Sequence, residues 1–476
     1  MNVKTRVNVI AFWLILLVLV WPVSGMAAWS LEDPLLAVPD VIGSGVTLPG
    51  DNEVAPCPVE KDFTIPLALD EAVDLALCNN PQIQEAWANI KIEAGALGEA
   101  RAAYLPTATG TFSRIKDRTS HPDSAFAGTT IFSNTLYGTA TWRLFDFGAR
   151  AANREAAEQL LAAALANHDA TLQKTLSAVI EAYYDVYTQR AALSAKIQSE
   201  EIATNTLNAA RKRETMGASA QSDTLQATTA LAKATLEKNR ARGDYQKALS
   251  VLVYSLGVPG TTQVRLPDTI DEKTDHDDRE LNDWLEQAQK NHPAILAARA
   301  EMEAAQKKVD AARSDGLPTL DLTANYYENG RPGQPLTPTK TRESTVGLVV
   351  SVPIFEGFAR TYKIQGAKAQ AEAKEATLAD TEHQILMEVV KAHADATSAL
   401  QNLNASEDLL KSAQNALAVS KRKYDKGAAD ILELLNTQAA LADAEQERIR
   451  SLAEWRSARL KLFASVGMMG RSLAAK

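Results

Sequence analysis

Two glycines in this chain, Gly217 and Gly427, are each followed six residues later by an acid, Asp223 and Glu433, and eight residues later by a leucine. Glycine after a long helical pattern accepts the left-handed turn that other residues resist, so both positions read as reversals between helices. Ser222 and Gln226 flank the first acid. An acid just inside a helix start has an ordinary use, which is to complement the positive end of the macrodipole. It has a sharper use where several copies converge on a narrow, poorly hydrated space. There, carboxylates concentrate negative potential and favour cations. Asp223 could equally hydrogen-bond a neighbouring helix, and the residues alone leave these uses open.

Little else offers chemistry. The histidines, His121, His168, His276, His292, His383 and His393, show no ligand spacing, so no metal or other cofactor is implied. The chain has no phosphate-cradling Gly-Lys-Ser/Thr loop, no nucleophile elbow and no paired catalytic carboxylates, and it reads as no enzyme. With 50 Lys and Arg against 59 Asp and Glu, a net charge of −9 and no long basic run, it is also a poor partner for nucleic acid. Hydrophobic residues make up 46% but aromatics only 6%, and alanine is abundant. That composition suits long, closely packed helices better than thick sandwiches.

Residues 1–27 read as a secretory signal: Lys4 and Arg6 precede an apolar run from Val9 to Val20, and Gly25, Met26 and Ala27 supply small-residue cleavage chemistry. An uncleaved anchor is the alternative. No later stretch approaches the roughly 20 apolar residues of a membrane helix, so any membrane crossing must use strands. Cys57 and Cys78 are the only cysteines, and an even count in an exported chain fits a disulfide.

The elements that position these residues come from an internal repeat. Leu69 through Asn80, Pro81, Arg101, Pro106 and Thr107 recurs as Leu281 through His292, Pro293, Arg313, Pro318 and Thr319 at a constant spacing of 212. Phe145, Ala149, Arg150, Gly217, Ser255 and Gly257 recur 210 later as Phe355, Ala359, Arg360, Gly427, Ser465 and Gly467. Each half reads as a short helix, two strands, a very long helix, a reversal and a long helix. Pro106 and Pro318 mark strand entry, and Gly148 and Gly357 mark strand exit.

Leu136, Gly138, Ala140, Trp142 and Leu144 alternate with Tyr137, Thr139, Thr141 and Arg143; a second period-two pattern spans Leu320 to Tyr327. Strands are expected at about 107–118, 134–145, 319–328 and 344–355, each long enough to cross a bilayer when tilted. Helices are expected over 149–215, 220–256, 359–425 and 430–466. Along them, Leu165, Leu172, Val179, Val186 and Leu193, and Ala396, Leu403, Leu410 and Leu417, repeat at sevens, the seam of a coiled coil. The frame is then a Pro-rich extended segment at 28–66, a first repeat at 67–259, an acidic linker at 260–280, a second repeat at 281–468 and a tail at 469–476.

Four strands are too few to close a barrel, since the smallest outer-membrane barrels use about eight. Unpaired backbone in lipid costs several kcal/mol per group, which forces closure by further copies. Three copies supply twelve strands, with a ring of helices continuing them around a wet tunnel. The expected fold is therefore a mixed α/β membrane protein: a trimeric 12-stranded β-barrel extended by an α-helical coiled-coil barrel.

The duplicated Asn-Pro/His-Pro helix, the Leu-Pro-Thr strand entry, the Phe-x-x-Gly and Phe-Glu-Gly strand exits and the two glycine reversals, taken in this order, resemble the TolC-like outer-membrane channel tunnels of drug-efflux and type I secretion systems. The resemblance spans Leu69 to Gly467. Ala-Leu-Cys-Asn-Asn-Pro at 76–81 also looks like the type I secretion branch that exports adenylate cyclase toxin and similar repeat proteins.

The resemblance implies a passive exit duct in the outer membrane of a Gram-negative bacterium, extending into the periplasm. Its partners would be two further copies of itself, outer-membrane lipid, a periplasmic adaptor and an inner-membrane ABC or RND transporter, with exported proteins or small molecules as cargo. It implies acids six and nine positions after the second glycine around a periplasmic aperture, and a tyrosine three before it that helps hold the aperture shut. Glu433 and Tyr424 match; Asn436 replaces the second acid, and Ala429 stands where some members carry a locking arginine. Gly217 and Gly427 would mark the hairpin tips where an adaptor docks. The rival reading is a periplasmic coiled-coil spacer without a channel.

Overall fold

The computed structural model describes residues 33–39, 63, 65–119, 128–217, 220–268, 279–330, 340–426 and 431–469. The signal segment, Cys57, Gly427, Ala429, residues 269–278 of the acidic linker and residues 470–476 of the tail lie outside the described residues. So do the side chains of Asp223 and Tyr424.

Each repeat opens with two helices rather than one. In the first half these are α1 (Leu69–Asn79) and α2 (Pro81–Ala102). Proline disfavours helical backbone in the residue before it but suits the first helical position, so the chain breaks at Asn80 and restarts at Pro81. Asn80 Oδ1 caps the restart by accepting from the Gln82 amide at 2.9 Å. The second half does the same with α5 (Leu281–Asn291) and α6 (Pro293–Ser314), where His292 Nδ1 accepts from the Ala294 amide at 3.2 Å.

The four strands are β1 (Thr107–Thr119), β2 (Thr129–Phe145), β3 (Thr319–Glu328) and β4 (Arg342–Ser351). β1 and β3 begin directly after Pro106 and Pro318. Two strands differ in their bounds from the sequence expectation. β2 starts at Thr129 rather than near 134, because its polar tip pairs with Arg118 and Thr119. β4 covers 342–351 rather than 344–355, since its ladder ends where β3 begins, with Ser351 opposite Thr319, and Pro353 has no N–H to extend it.

One antiparallel sheet holds them in the order β1-β2-β3-β4, so the two repeats meet at β2 and β3 with Tyr137 opposite Tyr327 and Ala140 opposite Ala324. β1 and β4 each keep one edge without a partner strand among the described residues. One face carries Phe112, Leu136, Trp142, Leu348 and Val350, all exposed. The other is polar and linked across strands: Ser113 to Thr135 at 2.6 Å, Thr139 to Asn325 at 2.8 Å and Arg143 to Asp321 at 3.0 Å.

Both hairpins leave through a turn with two consecutive left-handed residues, Phe147 and Gly148 in one half and Gly357 and Phe358 in the other. An arginine fastens each turn to the end of the helix before the strands. Arg150 donates to Asp146 Oδ2 at 2.7 Å and to the carbonyls of Arg143 and Ala103. Arg360 donates to the Gly316 and Arg313 carbonyls at 2.8 and 2.7 Å.

From these turns run α3 (Ala149–Thr215) and α7 (Ala359–Asp425), 67 residues each, returned by α4 (Gln221–Ser255) and α8 (Ile431–Ser465), 35 residues each. At 1.5 Å per residue the longer helices reach about 100 Å. On α7 the heptad seam is the buried stripe: Val389, Ala399, Leu403, Ser406, Ala413 and Ser420 are shielded, whereas most residues between them are exposed. Packing sets the four helices side by side as α4, α3, α8, α7.

The core lies at mid-height, where α3 gathers α1, α4 and α8 around Leu172, Leu176, Val179, Ile180 and Val186. Trp284 and Phe463 meet there edge to face, with ring centroids 5.3 Å apart. Gly257 (φ 69°) and Gly467 (φ 74°) end the return helices against the Asn79–Asn80 backbone and Pro293. A Cβ would come within 2.6 Å of those atoms, so close approach as well as positive φ requires glycine. Of the N-terminal segment only residues 33–39, 63 and 65–66 are described. Residues 33–39 do not run extended but turn at Asp33–Leu36, with the Ala37 and Val38 amides donating to the Asp33 carboxylate. They dock where Arg101 donates to the carbonyls of Leu35 and Leu36 and Ala37 packs on Ile90 and Leu97.

Candidate functional site

The two reversals sit at the far ends of the α3–α4 and α7–α8 hairpins. At the first, Gly217 is left-handed (φ 74°) and its amide donates to the Glu214 carbonyl at 2.9 Å. Thr224 Oγ1 then donates across the turn to Glu214 Oε2. Ser222 and Gln226 are exposed on the first turns of α4.

At the second reversal Glu433 and Asn436 are both exposed on α8. Glu433 faces a counter-charge that the sequence reading did not foresee: Lys423 Nζ, on the last turn of α7, lies 3.4 Å from Glu433 Oε1. With both side chains half exposed this pair is weak, on the order of 1 kcal/mol or less. It still moderates the negative potential that one Glu433 contributes. Lys423 was legible in principle, because Arg213 and Asp223 repeat its basic-acid spacing of ten 210 residues earlier.

The strand-exit glycines have the backbone their role requires, Gly148 at φ 90° and Gly357 at φ 59°. The sequence reading matched Arg150 and Arg360 but gave them no task; the structure makes them the ties between strands and helices. Cys78, in the last turn of α1, is disulfide-bonded. Among the described residues no His, Cys, Asp and Glu cluster could hold a metal, and no helix is long and apolar enough to cross a membrane.

A four-stranded sheet with one apolar and one polar face, continued by a helical ribbon about 100 Å long, has the form of a wall segment of a membrane-crossing tube. The outer membrane efflux protein model matches residues 72–258 and 284–468, one copy per repeat, and the chain belongs to that family. It is 36% identical over 418 residues to the protein CyaE of Bordetella pertussis, covering 88% of this chain and 87% of that one. With the outer membrane protein TolC of Escherichia coli it shares 22% over 393 residues, 78% of this chain and 76% of TolC. Its fold matches the crystal structure of the Campylobacter jejuni CmeC outer membrane channel with a TM-score of 0.73 at 17% identity, over 90% of this chain and 95% of that one.

This protein is thus an outer-membrane channel tunnel of the efflux and secretion class. The spacer alternative falls with that membership, and with it any role for the alternating strands as a soluble sheet.

Proposed function

We propose that three copies close head to tail into a passive exit duct. The observation that carries this reading is that sheet and helical wall are open in the same sense. Each ends on an element of the first repeat, β1 or α4, and on an element of the second, β4 or α7. Such unlike edges make a heterologous contact, which forms a ring when the rotation closes. The helical edges carry exposed apolar side chains that a single copy leaves in water: Leu225, Leu236 and Tyr254 on α4, and Met387, Leu409 and Val419 on α7. Two copies would give eight strands, whose interior side chains fill; twelve leave a passage.

In this ring the tips carry the aperture, with Glu433, Asn436 and Tyr424 on one hairpin and Ser222, Asp223 and Gln226 on the other. Gly217 and Gly427 present the tips to a periplasmic adaptor. The sequence offers no nucleotide loop and no nucleophile elbow, and on this reading an inner-membrane transporter supplies the energy. The resemblance to the type I secretion branch supports protein cargo and an ABC transporter; the likeness to efflux channels supports small molecules and an RND pump as the second reading. Cys57 is the partner available to Cys78.

The test is ion selectivity in planar bilayers. Glu433→Ala should lower cation preference, and Lys423→Ala, which uncovers the carboxylate, should raise it. Reversal potentials that stay unchanged in both variants would remove the aperture from this turn.

A further inference from the structure

The apolar face of the sheet does not stay apolar to its tip. β1 sets Phe112, Arg114, Lys116 and Arg118 at alternate positions, so the three cations share the face that carries Phe112 and Leu136. The register puts Arg114 opposite Asn134, Lys116 opposite Phe132 and Arg118 opposite Thr130. Lys116 Nζ lies 5.3 Å from the centre of the Phe132 ring, as side chains on one face must. Among the described residues of β1 and β2 no carboxylate shares that face, because Asp117 falls on the other one. None of the three cations has an ion pair among the described residues. The second hairpin is different: there Arg342 is neutralised by Glu328 at 3.2 Å on the same outward face.

Height explains what the patch meets. On β2 the outward apolar row runs from Leu144 to Leu136, about 26 Å along the strand and on the order of 20 Å tall when tilted. That is close to the ~25 Å band of outer-membrane barrels. Arg114 stands one pair beyond Leu136, and Phe132 has the place of an aromatic girdle residue at the distal interface. The cations therefore lie at headgroup level, about 7 Å apart along one strand.

We propose that this outward patch on β1 binds the phosphorylated headgroup of an outer-leaflet glycolipid, of the bisphosphorylated lipid A type. Two guanidinium forks can each take a phosphate bidentately, and Lys116 adds a third charge between them, with Phe132 opposite it at the same interfacial level. Three such sites would ring the barrel, all on first-repeat hairpins. The inference rests on the closed-barrel reading, which turns this face outward.

The test uses the full trimer in nanodiscs of phosphatidylethanolamine containing bisphosphorylated lipid A, dephosphorylated lipid A or neither. Lipid retained per trimer is read by native mass spectrometry, and trimer dissociation temperature is read alongside. The wild type should retain bisphosphorylated lipid A and gain heat resistance from it. Dephosphorylation of the lipid, or the R114Q/K116Q/R118Q variant, should lower retention tenfold or more, since each cation near an anionic surface contributes about fivefold. Equal retention of both lipids by the wild type would overturn the proposal without recourse to any variant. So would equal stabilisation of lipid-free trimers by inorganic phosphate, which would mark a free-anion site. A wild type that forms no trimer at all would overturn the barrel reading and this inference with it.

Discussion

The helices α3 and α7 have the same length, leave matching turns and lie 210 residues apart, yet they live in different surroundings. α3 is walled in by α1, α2, α4, α6 and α8 of its own chain and buries aromatic and aliphatic residues around much of its middle. α7 packs on α5, α6 and α8 and leaves its remaining side bare. Duplication thus produced two equal rods, and the order α4, α3, α8, α7 put one inside the wall and the other at its edge. The lesson is that a repeat can conserve each element while assigning the missing neighbour to another copy of the chain.

The same contrast recurs at smaller scale, and it can be broken there. The largest effect is expected at the strand exits. Arg150 pairs with a nearly buried Asp146 and stacks over Tyr104, whereas Arg360 meets only carbonyls. Arg150→Ala leaves the buried carboxylate without its counter-charge, held only by the amides of Gly148 and residue 150, and should cost about 3–5 kcal/mol. Arg360→Ala should cost about 1–2 kcal/mol. Urea unfolding of the two variants side by side checks the asymmetry, and equal losses would erase it.

On the sheet, Leu348→Lys puts a charge on the outward face and should cost about 2–4 kcal/mol in the membrane. Thr345→Lys, on the opposite face, should leave the yield of heat-resistant oligomers near that of the wild type. A reversed order would mean that the faces have been assigned the wrong way round.

The helix breaks supply the next contrast. Burial of His292 holds its imidazole down at about 4, so the ring is neutral and can accept from Ala294, as Asn80 accepts from Gln82. Above about pH 6.5 the folded and unfolded states are both neutral and stability is unaffected. Between about 6.5 and 4 the unfolded chain takes up the proton first, and stability should fall by up to about 3 kcal/mol. His292→Asn should abolish that acid-side loss, and Asn80→His should add a second one. Unfolding midpoints at pH 7 and pH 4.5 read both.

The smallest effect is expected at the tips. Lys423→Ala should change stability by less than about 1 kcal/mol, because the pair with Glu433 is solvated. Its signature is in selectivity rather than in melting, and a large fall in thermal stability would make the pair structural.

Much of the fold was legible because residues with single backbone uses recur at fixed spacing. Pro106 and Pro318 announce the strands, Gly217 the first reversal, and the sevens from Val389 onward the buried stripe. The split of each opening helix was written in Asn80–Pro81 and His292–Pro293, but a proline can either begin a helix or kink one, and periodicity does not choose. The early end of β4 follows from its partner, since β3 begins only after Pro318 and leaves nothing opposite Val352. At the second reversal the sequence reading singled out Glu433 and missed Lys423, because a contact across a reversal depends on how two helices splay. Which helix lies beside which was not legible at all, since every amphipathic face looks equally ready for any partner.

Head-to-tail closure is the claim on which the account stands, and Leu236 and Leu409 test it most directly. Both are exposed on opposite edges at similar distances from the hairpin tips. In a Leu236→Cys/Leu409→Cys variant, a short bismaleimide crosslinker should convert outer-membrane protein into a covalent trimer on denaturing gels, and each single variant should stay monomeric. Crosslinked material that stops at one copy, or climbs through four and beyond, would contradict a closed ring of three.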